Sequence, residues 1–204
     1  MIPLLYVGCH ELASSQRDAD VLSLIEEEDL KRFTFDGLKR RLALHPETLS
    51  RILDRFEDEG IIKKEKDGYK VTTKIAKLKV QKTRHYENGV PLLQSYLPSN
   101  MQVQQLIDGL TGKWFGLLRW FGLTQDDRGI TMKWITEDGG IQINAIIEDS
   151  LLTIEAKFLR ENNLNRAISA SYQLMTYLGK IMSSRHLASH VGYFGDSNVF
   201  LMSA

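Results

Sequence analysis

The chain has 204 residues, 43% hydrophobic and 25% charged, ordinary globular proportions with room for one large or two small domains. Its 26 basic and 26 acidic residues cancel, so bulk charge does not announce a nucleic-acid partner, and no apolar run reaches the roughly 20 residues that span a bilayer. The single Cys9 excludes an internal disulfide and makes a reducing cytoplasm the default.

Charge is unevenly placed. Residues 1–30 carry one Arg against seven acids, 31–90 carry sixteen Lys/Arg against nine acids, and 91–204 carry nine against ten. A basic block lies between an acidic leader and a neutral C-terminal half. The opening MIPLLYVGC is apolar, but too short and too poor in basic residues for a signal peptide, so it reads as a first strand or packing arm.

Gln16 to Leu30 reads as a first helix, with Val21, Leu22, Leu24 and Ile25 inward. The run Glu26, Glu27, Glu28, Asp29 reads as its solvated end. Thr34 caps a second helix, with Phe35, Leu38 and Leu42 inward and Lys39, Arg40 and Arg41 outward. Ala43, Leu44 and His45 make a short turn. His45 to Glu59 then reads as a third helix, with His45 as N-cap and Pro46 at the first helical position, where its missing N–H costs nothing. Glu47 adds negative charge at the positive helix end. Leu49, Ile52, Leu53 and Phe56 recur at helical spacing as one apolar face. Thr48, Ser50, Arg51 and Arg55 lie opposite, on a surface narrow enough to enter a DNA major groove. Gly60 suits a left-handed cap.

The segment IIKKEKDGYKVTT reads as a hairpin turning at Asp67-Gly68, with Lys63, Lys64, Lys66 and Lys70 on its arms. At this point the order of elements resembles the winged helix-turn-helix transcriptional regulators of bacteria and archaea, in the broad MarR/ArsR/Lrp-like group. Thr48, Ser50, Arg51, Leu53, Gly60, Ile61 and Ile62 carry the resemblance, with Tyr69, Val71 and Thr72 closing the wing. It covers roughly residues 17–80. The resemblance implies sequence-specific binding of double-stranded DNA. Thr48 and Arg51 would read base edges, supported by Glu47, Ser50 and Arg55, and the four wing lysines would hold phosphates. The alternative is a winged helix that docks on another protein in a transcription or chromatin assembly.

Thr73 to Tyr96 reads as a further basic helix, whole or broken near Asn88-Gly89, and a domain boundary is expected between Gly89 and Asn100. Residues 1–95 would form the DNA-binding domain with its arm and post-wing helix, and 96–204 an α+β domain for dimerisation or effector sensing. Met101 to Leu110 reads as a short helix. Lys113–Leu123, Ile130–Thr136, Ile141–Ile147 and Leu152–Phe158 read as an antiparallel meander with one wet face. Asn163 to Met182 carries a sustained apolar stripe that should cross the dry face, as core or as a dimer seam. Trp114, Trp120, Trp134, Tyr172 and Tyr177 read as core, or as the lining of an effector pocket. Residues 191–202 read as an added edge strand.

The sequence has no GxGxxG, P-loop, HExxH or CxxC, and no acid–base or nucleophile set stands out. The expectation is therefore a regulator and not an enzyme. It would need no cofactor or metal, work in the cytoplasm with the nucleoid, and pair as a homodimer, with a small molecule as a candidate effector. His186 and His190 lack the further ligands a zinc site needs, and the Cys9-His10 dipeptide is weak evidence for a reactive thiol.

Overall fold

The structure is a computed structural model that describes residues 16–72, 89–99, 101–127, 129–160 and 162–194, with side chains of the last helix as far as 182. The expected arm with Cys9 and His10, residues 73–88, the side chains of His186 and His190, and the tail from 195 lie outside the described residues. No helix among the described residues is long and apolar enough to cross a membrane.

The chain is mixed helix and antiparallel sheet. In order it forms α1 (Gln16–Glu27), β1 (Arg32–Phe33), α2 (Phe35–Leu42), α3 (Pro46–Asp58), β2 (Ile62–Glu65) and β3 (Gly68–Val71). Then follow β4 (Gly89–Tyr96), α4 (Val103–Leu110), β5 (Leu118–Gln125), β6 (Gly129–Thr136), β7 (Ile141–Glu148), β8 (Leu151–Phe158) and α5 (Leu164–Phe194). Among the described residues, all eight strands join one sheet, in the order β2-β3-β1-β5-β6-β7-β8-β4.

The two-residue β1 is the junction. Arg32 pairs with Lys70 on one side and Leu123 on the other, and Phe33 with Tyr69 and Gly122. Backbone bonds from Lys31 to Leu123 and from Thr34 to Phe121, each 2.9 Å, extend the seam. A Cβ at Gly122 would sit 2.3 Å from the Arg32 carbonyl oxygen, so only glycine lets the two backbones approach this closely. The sheet thus runs unbroken across the expected division at 95/96. β4, which lies on the N-terminal side of that division except for Tyr96, pairs along its length with β8.

Two apolar cores flank the sheet. The first joins α1, α2 and α3 to Phe33, Phe121 and Ile135. The second joins α4 and α5 to the opposite face through Trp120, Leu123, Met132, Trp134, Ile143 and Ile154. The expectation of one wet sheet face is corrected here, because both faces of β6 and β7 are buried. The expected stripe on α5 lies on the sheet in part: Ala167, Leu174 and Leu178 are no more than 2% exposed, whereas Leu164 and Ile168, expected in the same stripe, are 47% and 46% exposed.

Local chemistry explains most elements. Thr34 caps α2 by accepting from the Gly37 N–H at 3.1 Å. Ala43, at φ 53°, ends that helix in the left-handed region. His45 caps α3 through Nδ1, which accepts from the Glu47 N–H at 3.3 Å, and Pro46 follows. Gly60 takes φ 68° just past the helix, as its C-terminal position requires.

Other expectations are revised. Residues 89–96 form a strand, not the end of a helix: Pro91 would break a helix interior but is tolerated on a strand at the edge of the sheet, where β4 lies. The β2–β3 loop is Lys66-Asp67, not Asp67-Gly68, because Glu65 pairs directly with Gly68. Gly68 still bears the unusual backbone, at φ 141°. Residues 113–117 form a tight loop before β5, with Gly116 at φ 57°. Residues 191–194 continue α5 and are not part of an edge strand.

Candidate nucleic-acid interface

α3 is held from below. Leu49, Ile52, Leu53 and Phe56 are each at most 1% exposed, and burial of such side chains contributes about 1.5–3 kcal/mol apiece. With that face fixed, the remaining positions must point outward. Glu47, Ser50 and Arg51 are exposed, and Thr48 is half-buried. Glu47 and Arg51 are not independent, since the guanidinium donates to the carboxylate at 2.5 Å across one helical turn.

Arg55 has a different place. Its Nη2 donates at 2.5 Å to Asp18 on α1, a carboxylate only 1% exposed. Arg55 therefore ties α3 to α1, which sequence spacing could not reveal. Gln16, Arg17, Thr48, Arg51 and Arg55 line an open cleft of about 560 Å³ between the start of α1 and α3.

The exposed surface of α3 also carries Asp54, Glu57 and Asp58. The helix holds four carboxylates and two guanidiniums, and its second half is the acidic part. The Tyr69 hydroxyl registers this: burial, then the charges of Asp54 and Glu57, push its pKa above the usual phenol value. The spacing 47, 51, 54, 58 was legible as one helical stripe.

The hairpin divides its lysines between two faces. Lys63 lies opposite Lys70, and Lys70 opposite Arg32. That row continues into Leu123 and Met132, so it belongs to the sheet face of α4 and α5. Lys64 pairs with Tyr69 and shares the α3 face, where its backbone N–H donates to Glu57 at 3.0 Å. Lys66 sits in the turn, and all four lysines are exposed. The sequence reading brought nine residues together. The structure groups Glu47, Ser50, Arg51, Lys64 and Lys66 on or beside one side, with Thr48 partly covered. It places Lys63 and Lys70 behind the sheet and gives Arg55 to the α1–α3 contact.

Sequence reasoning missed a buried ionic cluster beneath the helices. Glu28, expected as solvated, is 4% exposed. Its carboxylate accepts from Lys133 Nζ and Lys157 Nζ, each at 2.7 Å, and from Gln142 Nε2 at 3.1 Å. Lys133 also donates to the Glu28 carbonyl at 2.6 Å. Arg41, expected to point outward, lies 3.7 Å from the same carboxylate. Gln142 donates on to Asn144, and Asn144 to Glu155. Burial alone would push the Glu28 carboxyl up, but the ammonium groups of Lys133 and Lys157 outweigh it and hold it well below the usual carboxylate range. The cluster binds the helical layer to β6, β7 and β8. The only sequence signal was polar residues at alternate positions of an otherwise apolar meander.

The aromatic side chains are mostly packing. Trp120 and Trp134 meet edge-to-face at 5.1 Å, and Phe115 packs on Trp134 and Tyr177. Trp114 and Tyr172 are exposed. Among the described residues no group of three or more His, Cys, Asp or Glu could hold a metal ion. No protein-family model, no curated protein and no solved structure matches the chain.

Proposed function

We propose that residues 16–72 are a winged helix-turn-helix and that the chain is a double-stranded-DNA-binding transcriptional regulator, acting in the cytoplasm at the nucleoid. The element order α1-β1-α2-α3-β2-β3 and the strand order β2-β3-β1 support the fold. The observation that carries the function is the first half of α3. It projects Ser50 and Arg51 from a helix locked by four buried apolar side chains, beside a hairpin bearing Lys64 and Lys66. Base reading falls to Arg51 and Ser50, with Thr48 at the margin, and phosphate contact to Lys64 and Lys66. The acidic second half of α3 stays out of the groove, because phosphates would repel it.

Fluorescence anisotropy of the full chain on random duplex DNA at several salt concentrations tests the reading. The expected result is binding that weakens steeply with salt, and a preferred sequence that Arg51→Ala relaxes. Absence of binding at low salt rejects it.

The acidic stripe favours a second reading, a protein-docking winged helix whose partner presents a basic surface to Asp54, Glu57 and Asp58. In that case duplex DNA is not bound, and charge reversal at Asp54 and Glu57 abolishes partner capture.

A further inference from the structure

The cleft between the start of α1 and α3 gathers three guanidiniums. Thr48, Arg51, Ile52 and Arg55 line it as one stripe of α3, and Arg17 lines it from α1. The one carboxylate among its lining residues is Asp18, buried and bonded to Arg55 at 2.5 Å. Two positive charges are therefore left in excess. The Asp18 bond holds Arg55 in place before a ligand arrives, while the Arg55 Nε–H finds no acceptor. Among the described residues, no carboxylate pairs with Arg17. Glu47, which does not line the cleft, bonds Arg51, and side-chain exposures of 66% and 71% make that pair weak and readily exchanged.

We infer that this cleft binds a small phosphorylated molecule as its phosphate monoester dianion, and that the occupied cleft competes with duplex DNA for Arg51. The second half rests on the DNA-binding reading, and the first half does not. The planar fork of a guanidinium matches the spacing of phosphate oxygens and donates to two at once. The excess charge selects among phosphates. A monoester carries about −1.5 to −2 near neutral pH, which the cleft neutralises, whereas a phosphodiester of the DNA backbone carries a single charge. Size points the same way. The cleft holds about 560 Å³, within the range of small-molecule sites and more than one phosphate group fills. The remaining space lies beside the Thr48 hydroxyl, a hydrogen-bonding group, and above the apolar side chain of Ile52. Arg51 cannot hold a ligand phosphate and a base edge together, so the ligand would act on DNA binding by occupying the same side chain.

Titration of the full-length chain without DNA, followed by the arginine Nε–Hε resonances at constant ionic strength, tests the site. The probes are inorganic phosphate, phenyl phosphate and, as a stand-in for the DNA backbone, dimethyl phosphate. Inorganic and phenyl phosphate should shift Arg17 and Arg51 saturably, and dimethyl phosphate should bind at least about tenfold more weakly. Arg17→Gln should weaken phosphate binding by at least about tenfold with an unchanged thermal melt, because the side chain is exposed. Lys70→Gln, on the opposite sheet face, should leave it unchanged. No saturable shift with either phosphate, equal binding of dimethyl phosphate, or an Arg17→Gln variant of unchanged affinity overturns the inference. In a second arm, saturating inorganic phosphate should weaken duplex binding by at least about tenfold more than chloride at the same ionic strength. Equal effects of the two salts overturn the competition. Phosphate binding is read without nucleic acid, so a chain that takes phosphate but no duplex fails only the DNA-binding reading, and the competition with it.

Discussion

The Glu28 carboxylate and the Lys133 ammonium meet 2.7 Å apart between the helical layer and the sheet, with side chains 4% and 7% exposed. The sequence separates them by 105 positions. Lys157 completes the site from the other oxygen at 2.7 Å. Lys133, Lys157 and Arg41 converge on this one carboxylate, so its removal takes away the negative charge that offsets the buried Lys133 ammonium.

Glu28→Gln should therefore be strongly destabilising, by about 3 kcal/mol, as for a buried ion pair broken on one side. Lys157→Gln should cost clearly less, because Lys157 is 31% exposed and water takes up part of the role. Urea unfolding midpoints compare them. Equal losses would mean that the cluster does not depend on burial.

The same carboxylate sets an acid limit. Its folded pKa is depressed, so its contribution is fully present above the ordinary carboxylate value of 4.5 and is lost as pH falls below it. Below that pH the unfolded chain takes up the proton and the folded chain resists it, which favours unfolding. Thermal melts should fall more steeply below pH 4.5 for the wild type than for Glu28→Gln, and the two curves should converge. Parallel curves would assign the acid sensitivity elsewhere.

Arg51 and Arg55 lie one turn apart on α3 and should behave oppositely. Arg55→Ala strips a guanidinium from the buried Asp18 and should cost about 1–3 kcal/mol. Arg51→Ala breaks only an exposed pair with Glu47 and should change stability by less than about 0.5 kcal/mol. If the proposed DNA reading holds, Arg51→Ala alters sequence preference at constant stability. Stability measured beside binding separates the two roles.

The two-faced hairpin makes a sharper test. The paired substitution Lys64→Ala with Lys66→Ala should reduce the salt slope of DNA binding by about one per lysine. Lys63→Ala with Lys70→Ala should leave it nearly unchanged, since those side chains share the opposite sheet face with Arg32. Equal effects from both pairs would place the duplex elsewhere.

The seam at β1 can be probed by Gly122→Ala. The added methyl would meet the Arg32 carbonyl at 2.3 Å, and neither backbone can yield without breaking the pairing. A loss of about 1–3 kcal/mol is expected, with amide exchange accelerated at β1 and β5. Unchanged exchange there would show that the seam is not a stable part of the fold.

Several features were legible from residue order because local forces decide them. Pro46 after His45, the recurrence of Leu49, Ile52, Leu53 and Phe56, and Gly60 beyond them dictate α3 almost alone. Alternation from Ile141 to Ile147 and from Leu152 to Phe158 dictates two strands, and the stripe from Ala167 to Leu178 dictates α5 on the sheet. Other features were not readable. A two-residue β1 has no period, and a hairpin register can slip by one residue when lysines populate both faces. Whether Glu28 meets water or Lys133, and whether Arg55 meets solvent or Asp18, depends on which layer closes over it. Spacing along one helix assigns a face to a charge. Only the packing of distant elements, through burial and Coulomb attraction at short range, decides whether that charge holds the fold together or remains open to a ligand.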